Sequence, residues 1–235
     1  MRLNQYIAHT GVCSRRKAEA LIRNGKISVN GKVVTNLAHQ VGSTDRVRYR
    51  NQPILLAEKC YYLLHKPFNV VTTLQDPQGR KTVLDLLKHR IKTRVYPVGR
   101  LDRNTTGVLL LTNDGALAKA LAHPAHGVPK IYDITLKKPL QPTSLAQLKK
   151  GVVLADGFVQ PDAVAWSQQR PKSVQVTLHS GKNRVLRRIF ATLGHQIIAL
   201  ERIAYGGLTA IELAPGQWRA LTPAEVADLK KWQMA

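Results

Sequence analysis

The sequence predicts an α+β protein made of a small N-terminal domain, residues 1–58, and a larger domain, residues 59–235. Two short helical patterns and a hairpin signal occupy the first part of the chain. Beyond them, strand-like apolar runs alternate with short helices, which indicates a sheet flanked by helices. With 235 residues, 44% of them hydrophobic, the chain has enough apolar material for a substantial core.

An excess of positive charge indicates a polyanionic partner. Lysine and arginine together number 36, aspartate and glutamate 14, and the formal net charge is +22. A compact fold with this charge repels itself unless a polyanion is its usual partner, which favours RNA or DNA. An anionic membrane surface is the second candidate, but no segment combines a lysine-rich amphipathic pattern with bulky apolar anchors. We therefore expect a nucleic acid partner and no membrane.

Several kinds of segment and site are missing from the sequence. No apolar run approaches membrane-spanning length and no signal peptide precedes the first helical pattern, so we expect a cytoplasmic location. The cysteines, Cys13 and Cys60, lie far apart without a CxxC spacing, which predicts reduced structural thiols. The sequence contains neither a metal-ligand cluster nor a GxGxxG loop, and we predict no metal and no cofactor.

The small domain begins with two predicted helices. Residues 2–9 have helical spacing, and Ser14 is placed to cap a second helix that ends at Asn24-Gly25. The first turn of this helix is Arg15-Arg16-Lys17, although each positive charge at a helix N-terminus costs about 0.3–1 kcal/mol. Three such charges beside free amide groups predict a phosphate site. A solvated basic face without a ligand remains the alternative.

A hairpin follows the second helix. Residues 27–29 and 32–34 flank Asn30-Gly31, a dipeptide that favours a type I′ turn. Two helices and a hairpin, with a basic second helix, resemble the S-four-type αL RNA-binding domain shared with a small-subunit ribosomal protein. The resemblance implies that this domain binds RNA through a set of polar and basic residues. These are Arg2, Ser14, Arg15, Arg16, Lys17, Lys26, Asn30 and Lys32.

The larger domain opens with a strand and a loop-rich segment. Residues 61–64 predict the strand, which His65-Lys66-Pro67 interrupts and residues 70–73 resume. Residues 76–81 are polar and predict a loop. Thr82-x-x-Asp85 then opens a short helix, because this spacing forms a capping box.

The central stretch of the chain is a polar loop that leads into a buried strand. The four adjacent aliphatic residues Val108–Leu111 predict a strand buried on both faces, and the loop over residues 99–107 is anchored on it. The carboxylate of this loop, Asp102, lies between Arg100 and Arg103, and these cations favour its ionised form. Asp102 is therefore either a reactive carboxylate or a turn cap paired with Arg100.

The run GRLDRNTTGVLLLTNDG, residues 99–115, closely resembles the signature of the bacterial ribosomal pseudouridine synthases, the family named after ribosomal small subunit pseudouridine synthase A. The resemblance implies a core of mixed, mainly antiparallel sheet flanked by helices. It places Asp102 on the catalytic aspartate of the family. It also implies the isomerisation of a uridine to pseudouridine, a redox-neutral reaction that requires neither a metal nor a cofactor.

A second site residue comes from the strand predicted over residues 130–136, which follows a helix that Asp114 caps. In isolation, Tyr132 is more typical of a core aromatic residue. Lys130-x-Tyr132 matches a K-x-Y motif of the family, in which the tyrosine lies against the target base. The resemblance therefore implies that Tyr132 binds the substrate.

A third motif, HSGKNRVLRR at residues 179–188, leads into a predicted helix. It resembles the family pattern EGRNRQVRRM, but Ser180, Val185 and Leu186 replace an acid, a glutamine and a valine. The glycine and three of the four arginines are kept. The resemblance therefore implies that Arg187 pairs with the catalytic carboxylate.

The resemblance also implies supporting contacts. Arg100 is expected to hold the charge and position of Asp102, together with Arg187. Further RNA contacts are expected from Arg80, Lys182 and Arg184. The rest of the domain is predicted to contain a helix over residues 143–150, strands at 164–166, 174–178, 197–203 and 211–213, and a C-terminal helix capped by Thr222.

Taken together, the sequence predicts a monomeric ribosomal RNA pseudouridine synthase whose partner is ribosomal RNA or a pre-ribosomal particle. The runs PVGRLDRNTTGVLLLTNDG and HPAHGVPKIY look more like the large-subunit branch of the family. The C-terminal pattern GG-x-x-x-x-x-L-A-P-G-x-W-R also suits the small-subunit branch, which stays an alternative. A non-catalytic ribosome-assembly factor that binds RNA is the second alternative. A nuclease or methyltransferase is disfavoured, because the sequence lacks a carboxylate cluster and a glycine-rich cofactor loop.

Overall fold

The computed structural model describes residues 1–87, 90–91, 93–167 and 172–233. The chain divides into two compact units, one comprising Met1–Cys60 and Lys92–Arg94 and the other Tyr61–Ile91 and Val95–Ala235. The predicted α+β class is confirmed, since both units contain helices and strands. No helix in the described part of the chain is long and apolar enough to cross a membrane.

The first unit packs two helices against a small antiparallel sheet. Its elements are α1 (Leu3–His9), α2 (Arg15–Arg23), β1 (Ile27–Val29), β2 (Lys32–Val33), β3 (Val47–Tyr49) and β4 (Gln52–Pro53). The sheet has the order β2-β1-β3-β4. The side chain of Ser14 accepts a hydrogen bond from the backbone N–H of Lys17 and caps α2, as predicted. Asn30 and Gly31 have φ of 52° and 82°, as a type I′ turn requires.

The second unit is built on a nine-stranded mixed sheet. Its strands are β5 (Tyr61–Lys66), β6 (Tyr96–Pro97), β7 (Thr106–Thr112), β8 (Lys130–Leu136), β11 (Ala163–Trp166), β12 (Ser173–Leu178), β13 (Ile197–Tyr205), β14 (Leu208–Thr209) and β15 (Trp218–Ala220). Their order is β11-β12-β8-β13-β7-β5-β15, with β14 beside β13 and β6 beside β7. The pair β7–β13 is parallel, whereas the other ladders described are antiparallel, so the mixed and mainly antiparallel sheet is confirmed.

Helices and a separate hairpin complete the second unit. They are α3 (Gly115–Ala122), α4 (Pro142–Lys150), the hairpin strands β9 (Val152–Leu154) and β10 (Gly157–Val159), α5 (Val185–Thr192) and α6 (Pro223–Lys231). Two 3₁₀ helices, Val83–Leu86 and Pro124–His126, lie in the connections. Thr82 and Asp85 form the predicted capping box.

Strand β7 lies at the buried centre of the sheet. Each residue of Val108–Leu111 is at most 1% exposed, which confirms the strand predicted to be buried on both faces. One face joins a core with Leu121 of α3 and Leu229 of α6. A second core lies between β8, β12 and α5 and includes Ile134 and Phe190. The loop that precedes β7 is thus attached to one of the least exposed parts of the unit.

Two strand predictions of the second unit are wrong. Residues 211–213 lie in a loop, because the turn at Gly206-Gly207 has already brought β14 back onto β13. Strand β5 does not end at Leu64 but continues through Lys66, which pairs with Gly107 of β7. A lysine can end this buried strand because backbone carbonyl groups surround its ammonium group, as described below.

A third strand prediction, over residues 70–73, is also wrong. Val71 forms an isolated bridge with Thr82 and not a ladder. The Thr72 hydroxyl donates a hydrogen bond to the carbonyl oxygen of Leu101 at 2.7 Å. Side-chain bonding of this kind competes with strand pairing, so the segment supports the loop over residues 99–107 instead of extending the sheet.

Gly107 lies where β7 meets β13. Its φ is +103°, and a Cβ atom placed on it would come closer than 3.0 Å to the backbone N, C and O atoms of Arg202. Gly107 and Arg202 are register partners in the parallel pair. Only glycine therefore lets the strand that follows the loop join the sheet at this point.

We expect Gly107→Ala to lower the free energy of unfolding by more than the matched variant Gly207→Ala. Both glycines have a large positive φ, +103° and +92°, but a Cβ at Gly207 meets nothing within 4 Å. The backbone conformation costs an alanine about 1–3 kcal/mol at either position. Overpacking against Arg202 adds about 1–3 kcal/mol at Gly107 alone. Urea unfolding of both variants measures the difference, and equal losses would contradict the tight contact.

Candidate active site

A buried lysine holds the loop that carries Asp102. The Lys66 side chain is fully buried, and its Nζ donates to the carbonyl oxygens of Pro67, Arg103 and Thr105 at 3.0, 3.2 and 2.8 Å. Burial lowers the pKa of Lys66 to about 8, while the charge of Asp102 opposes this shift. Two of the three carbonyl groups belong to residues of the loop itself, so the ammonium group holds the loop in place through hydrogen bonds.

Backbone and hydroxyl groups fix the same loop from other directions. The Thr72 hydroxyl donates to Leu101 at 2.7 Å, and the backbone N–H of Asn69 donates to the carbonyl oxygen of Arg103 at 2.9 Å. Within the loop, the N–H of Thr105 donates to the carbonyl oxygen of Asp102 at 3.0 Å and closes a turn. Asp102 therefore stands on a backbone that its neighbours define on both sides.

Two arginines lie beside the carboxylate of Asp102. The Nε atom of Arg187 on α5 is 3.6 Å from Oδ2, and the Nε atom of Arg184, just before α5, is 3.9 Å away. Both distances exceed the length of a hydrogen bond, so the arginines stabilise the charge without occupying the oxygen. Arg187 also donates to the carbonyl oxygen of Asn104 at 3.4 Å, which ties α5 to the loop. The Asp102 side chain stays 39% exposed.

The carboxylate borders a cleft of about 200 Å³. Tyr132, Leu186 and Leu200 contribute apolar wall, and Asp102 and Arg187 contribute charged groups. A space of this size admits groups much larger than a water molecule and suits one small ring system. The structure thus brings together three residues that the sequence placed in different motifs.

Arg100 occupies a different position from the one expected. It lines the cleft and is exposed. However, within the described residues the cations found within 4 Å of Asp102 are Arg184 and Arg187. Arg184, which the sequence predicts as an RNA contact, therefore also lies beside the carboxylate.

The sequence analysis missed two buried cations of the site. Lys66 supports the loop, and Arg202 lies in the cleft with only 2% of its surface exposed. The Nε of Arg202 donates to the carbonyl oxygen of Val108 at 2.8 Å. A lone arginine inside the apolar strand pattern of residues 197–205 was a usable signal, since arginine is rarely buried without a role. Lys66 gave no such signal, because it stands at the end of its strand next to a proline.

Two predicted RNA contacts of the second unit are engaged with acidic partners. Arg80 contacts Asp76 through two hydrogen bonds, of 2.7 and 3.0 Å, and these bonds lower the pKa of Asp76 to about 2. The Nζ of Lys182 donates to the carbonyl oxygen of Asp156 at 2.7 Å. Lys182 also lines the cleft. Both side chains are on the surface, but neither is an isolated charge.

The predicted RNA contacts of the first unit are mostly exposed. The exposed side chains are Arg2, Arg15, Arg16, Lys17, Lys26, Asn30 and Lys32, and Ser14 is half-buried. Asn30 donates to the carboxylate of Asp45 at 2.8 Å and so belongs to the hairpin structure. The three cations at the start of α2 have no acidic residue in the first turn of that helix. The phosphate site at this helix end stays a prediction.

Within the described residues, no group of three or more histidine, cysteine, aspartate or glutamate side chains could hold a metal ion. The side chains that line the cleft provide one partly exposed carboxylate, two phenol rings and several cations.

Comparisons with known proteins match both units. The sequence profile described as RNA pseudouridylate synthase matches residues 60–192, and that of the S4 domain matches residues 1–47. The chain is 43% identical over 233 residues to the ribosomal large subunit pseudouridine synthase B of Bacillus subtilis, covering 97% of this chain and 95% of that protein. It is 40% identical to an uncharacterized RNA pseudouridine synthase of Aquifex aeolicus, covering 98% and 94% of the two chains.

A solved structure has the same fold. The crystal structure of a pseudouridylate synthase matches with a TM-score of 0.70 and 26% sequence identity, covering 97% of this chain and 99% of that chain. The match therefore extends over both units and over the elements that form the cleft.

The buried ammonium group of Lys66 predicts a pH-dependent contribution to stability. Its pKa is about 8 in the folded protein and 10.5 in the unfolded chain, so between these pH values the unfolded chain holds a proton that the folded protein has lost. The free energy of unfolding of the wild type, relative to Lys66→Met, should therefore rise by up to about 3 kcal/mol over this range. Urea unfolding at several pH values measures the rise.

The exposed Lys231 provides the matched variant, Lys231→Met, because the burial that produces the effect is absent there. A difference between wild type and Lys66→Met that stays constant from pH 8 to 10.5 would contradict the effect of burial on Lys66.

Proposed function

Because the chain belongs to the RNA pseudouridylate synthase family, we propose that it is an isomerase that converts one uridine of ribosomal RNA to pseudouridine. The observation that supports this function is the single cleft shared by Asp102, Arg187 and Tyr132. A relative with 43% identity is named for the large ribosomal subunit, and we assign the target uridine to large-subunit RNA on this basis. We also propose that the enzyme works as a monomer in the cytoplasm.

Asp102 is the catalytic residue of this proposal. During isomerisation the bond between C1′ and N1 breaks, the uracil turns within the cleft, and a bond between C1′ and C5 forms. Asp102 acts on the sugar, either as a nucleophile or as a base. Both roles require an ionised carboxylate that no short hydrogen bond occupies. Arg187 and Arg184, at 3.6 and 3.9 Å, place positive charge beside the carboxylate without a short hydrogen bond to it.

Tyr132 binds the base in this proposal. Its ring lines the cleft, and it stands on β8, which has β12 and β13 as neighbours on its two sides. Because this strand is paired on both sides, its backbone is held in place, and the tyrosine ring that it carries can stack on uracil. Its hydroxyl group assists the removal of the proton from C5. Arg100 adds positive charge at the exposed edge of the same cleft.

Capture of the RNA precedes the reaction. A base in a stem must be extruded before it enters a cleft of this size, at a cost of a few kcal/mol. Phosphate contacts supply affinity and position but do not select the base. We assign these contacts to Arg2, Ser14, Arg15, Arg16, Lys17, Lys26, Asn30 and Lys32 of the first unit and to Arg80, Lys182 and Arg184 of the second.

The variant Asp102→Asn is expected to abolish isomerisation while keeping the affinity for RNA. Loss of a general base or nucleophile lowers a rate by at least about 100-fold, whereas the amide keeps the size of the side chain. Tritium release from ribosomal RNA labelled at C5 of uridine measures the reaction. Asp228→Asn is the matched control, because Asp228 is an exposed carboxylate paired with Lys231 on α6.

Pseudouridine mapping in a strain that lacks the gene identifies the target. One pseudouridine of large-subunit RNA should disappear, and the wild type and Asp228→Asn should restore it whereas Asp102→Asn should not. Loss from small-subunit RNA would transfer the assignment to that subunit. Equal tritium release by wild type and Asp102→Asn would contradict the role of the carboxylate.

The start of α2 is expected to bind RNA phosphate groups. The double variant Arg15→Gln with Arg16→Gln should lower the slope of log affinity against log salt concentration by about 0.9 for each duplex phosphate that the helix no longer binds. The control is Lys230→Gln with Lys231→Gln, which removes the same charge from α6. Filter binding of the target stem over a range of salt concentrations measures both slopes. An equal decrease in both double variants would indicate a diffuse charge effect and contradict a phosphate site on α2.

A further inference from the structure

The cleft contains a buried arginine with unused hydrogen-bond donors. Arg202 is 2% exposed and lines the cleft, and its Nε donates to the carbonyl oxygen of Val108 at 2.8 Å. Its Nη2 atom is buried and has no hydrogen-bond partner among the residues that the structure describes. A buried donor left unpaired destabilises a protein. We therefore expect a ligand to accept the hydrogen bond that Nη2 does not make within the protein.

A second buried cation stands beside this arginine. Lys130 is 9% exposed, and its Nζ donates to the carbonyl oxygens of Val128 and His179 at 3.1 and 2.8 Å. Burial, and then the charge of Arg202, lower the pKa of Lys130 to about 8, while Asp162 opposes this shift. Within the described part of the chain, neither cation has a carboxylate oxygen within 4 Å.

The ring of Tyr205 lies against both cations. The Arg202 Cζ atom is 4.7 Å and the Lys130 Nζ atom 5.6 Å from its centre. The hydroxyl group of Tyr205 donates to the carbonyl oxygen of Leu121 at 2.8 Å. The aromatic face stabilises the two charges in part, but it accepts no conventional hydrogen bond from Nη2. Among the residues that the structure describes, Arg202 and Lys130 therefore bring positive charge to the cleft without a carboxylate in direct contact.

Arg202 lies between the elements that carry the proposed reactive residues. In the antiparallel pair β8–β13, it is the direct register partner of Tyr132, so the two side chains are neighbours on one face of the sheet. In the parallel pair β7–β13, it is the partner of Gly107, which ends the loop of Asp102. A base stacked on Tyr132 and reached by Asp102 would therefore have Arg202 as a neighbour in the cleft.

Resting on the function proposed above, we propose that Arg202 is the residue that recognises uracil, donating a hydrogen bond from Nη2 to O4 of the extruded base. With Lys130, it also stabilises the negative charge of the detached ring. When the C1′–N1 bond breaks, its electron pair leaves with uracil and spreads over O2 and O4. The pair forming the new bond comes from C5, which then loses its proton, and N1 gains one, so that no electron or atom is gained overall.

This arrangement predicts discrimination against cytosine. Uracil presents a carbonyl oxygen at position 4, whereas cytosine presents an amino group, which is a donor. An amino group facing a guanidinium group leaves both donors unpaired and brings positive charges together. Arg202 would therefore select the base, in contrast to the phosphate contacts that position the RNA.

The experiment compares two RNA stems that differ only in uridine or cytidine at the mapped target position. Affinities are measured in the Asp102→Asn background, which prevents turnover, with and without Arg202→Gln. The Asp102→Asn protein should prefer the uridine stem by about 10- to 100-fold, the range of a hydrogen bond from a charged group. Arg202→Gln should remove this preference, because the uridine stem loses its hydrogen bond and the cytidine stem is no longer opposed by the guanidinium group. Arg202→Lys should keep part of the preference.

The ratio of the affinities for the uridine and cytidine stems, measured with one and the same variant, separates base recognition from an effect on folding. A purely structural role of Arg202 would weaken both stems equally and leave the ratio unchanged, which would overturn the proposal. Lys231→Gln is the control for loss of one positive charge and should not alter the ratio.

A stem carrying pyrimidin-2-one at the target position tests the same contact in protein with Arg202 intact. This base lacks O4, so the affinity for this stem should be lower than that for the uridine stem. The expected factor is the one by which Arg202→Gln weakens binding of the uridine stem, and undiminished binding would overturn the proposal. Absence of isomerisation by the wild type would overturn this proposal together with the proposed function. Isomerisation with unchanged discrimination would overturn the assignment of Arg202 alone.

Discussion

The site depends on one buried ammonium group. Lys66 ends a central strand and donates to three backbone carbonyl groups, two of them in the loop of Asp102. Burying this charge is unfavourable, as the lowered pKa of Lys66 shows. The carbonyl groups offset the loss of hydration only if the loop keeps its conformation. The folded protein therefore couples the solvation of one lysine to the position of one carboxylate.

The electrostatics of the cleft follow from this fixed loop. The loop presents Asp102 to Arg184 and Arg187, which lie beside it at more than hydrogen-bond distance and leave its oxygen atoms available to a substrate. On the other side of the parallel contact at Gly107, Arg202 contributes a buried positive charge. A reaction that passes through a separated sugar and base needs a group for each fragment. In the proposed reaction, the carboxylate of Asp102 serves the sugar and the guanidinium group of Arg202 serves the base.

The sequence predicted those features that arise from local or periodic patterns. The cap at Ser14 and the buried strand Val108–Leu111 have short-range causes, and the structure contains both. Asp102 stood out by its position between arginines, but its role came only from the resemblance to a family. Local patterns did not predict which distant segments contact each other. Residues 70–73, for example, support a loop through the hydroxyl of Thr72 instead of forming a strand. The burial of Arg202 likewise depends on strands that are distant in sequence.

The central claim is that a fixed carboxylate meets a uridine extruded into the cleft. A crystal structure of the Asp102→Asn protein bound to the target stem tests it most directly. The account predicts that the uridine has left the helix, that its ring stacks on Tyr132, and that its sugar lies within about 3.5 Å of the side chain at position 102. A uridine that stays stacked in the stem, or that enters another part of the surface, would contradict it.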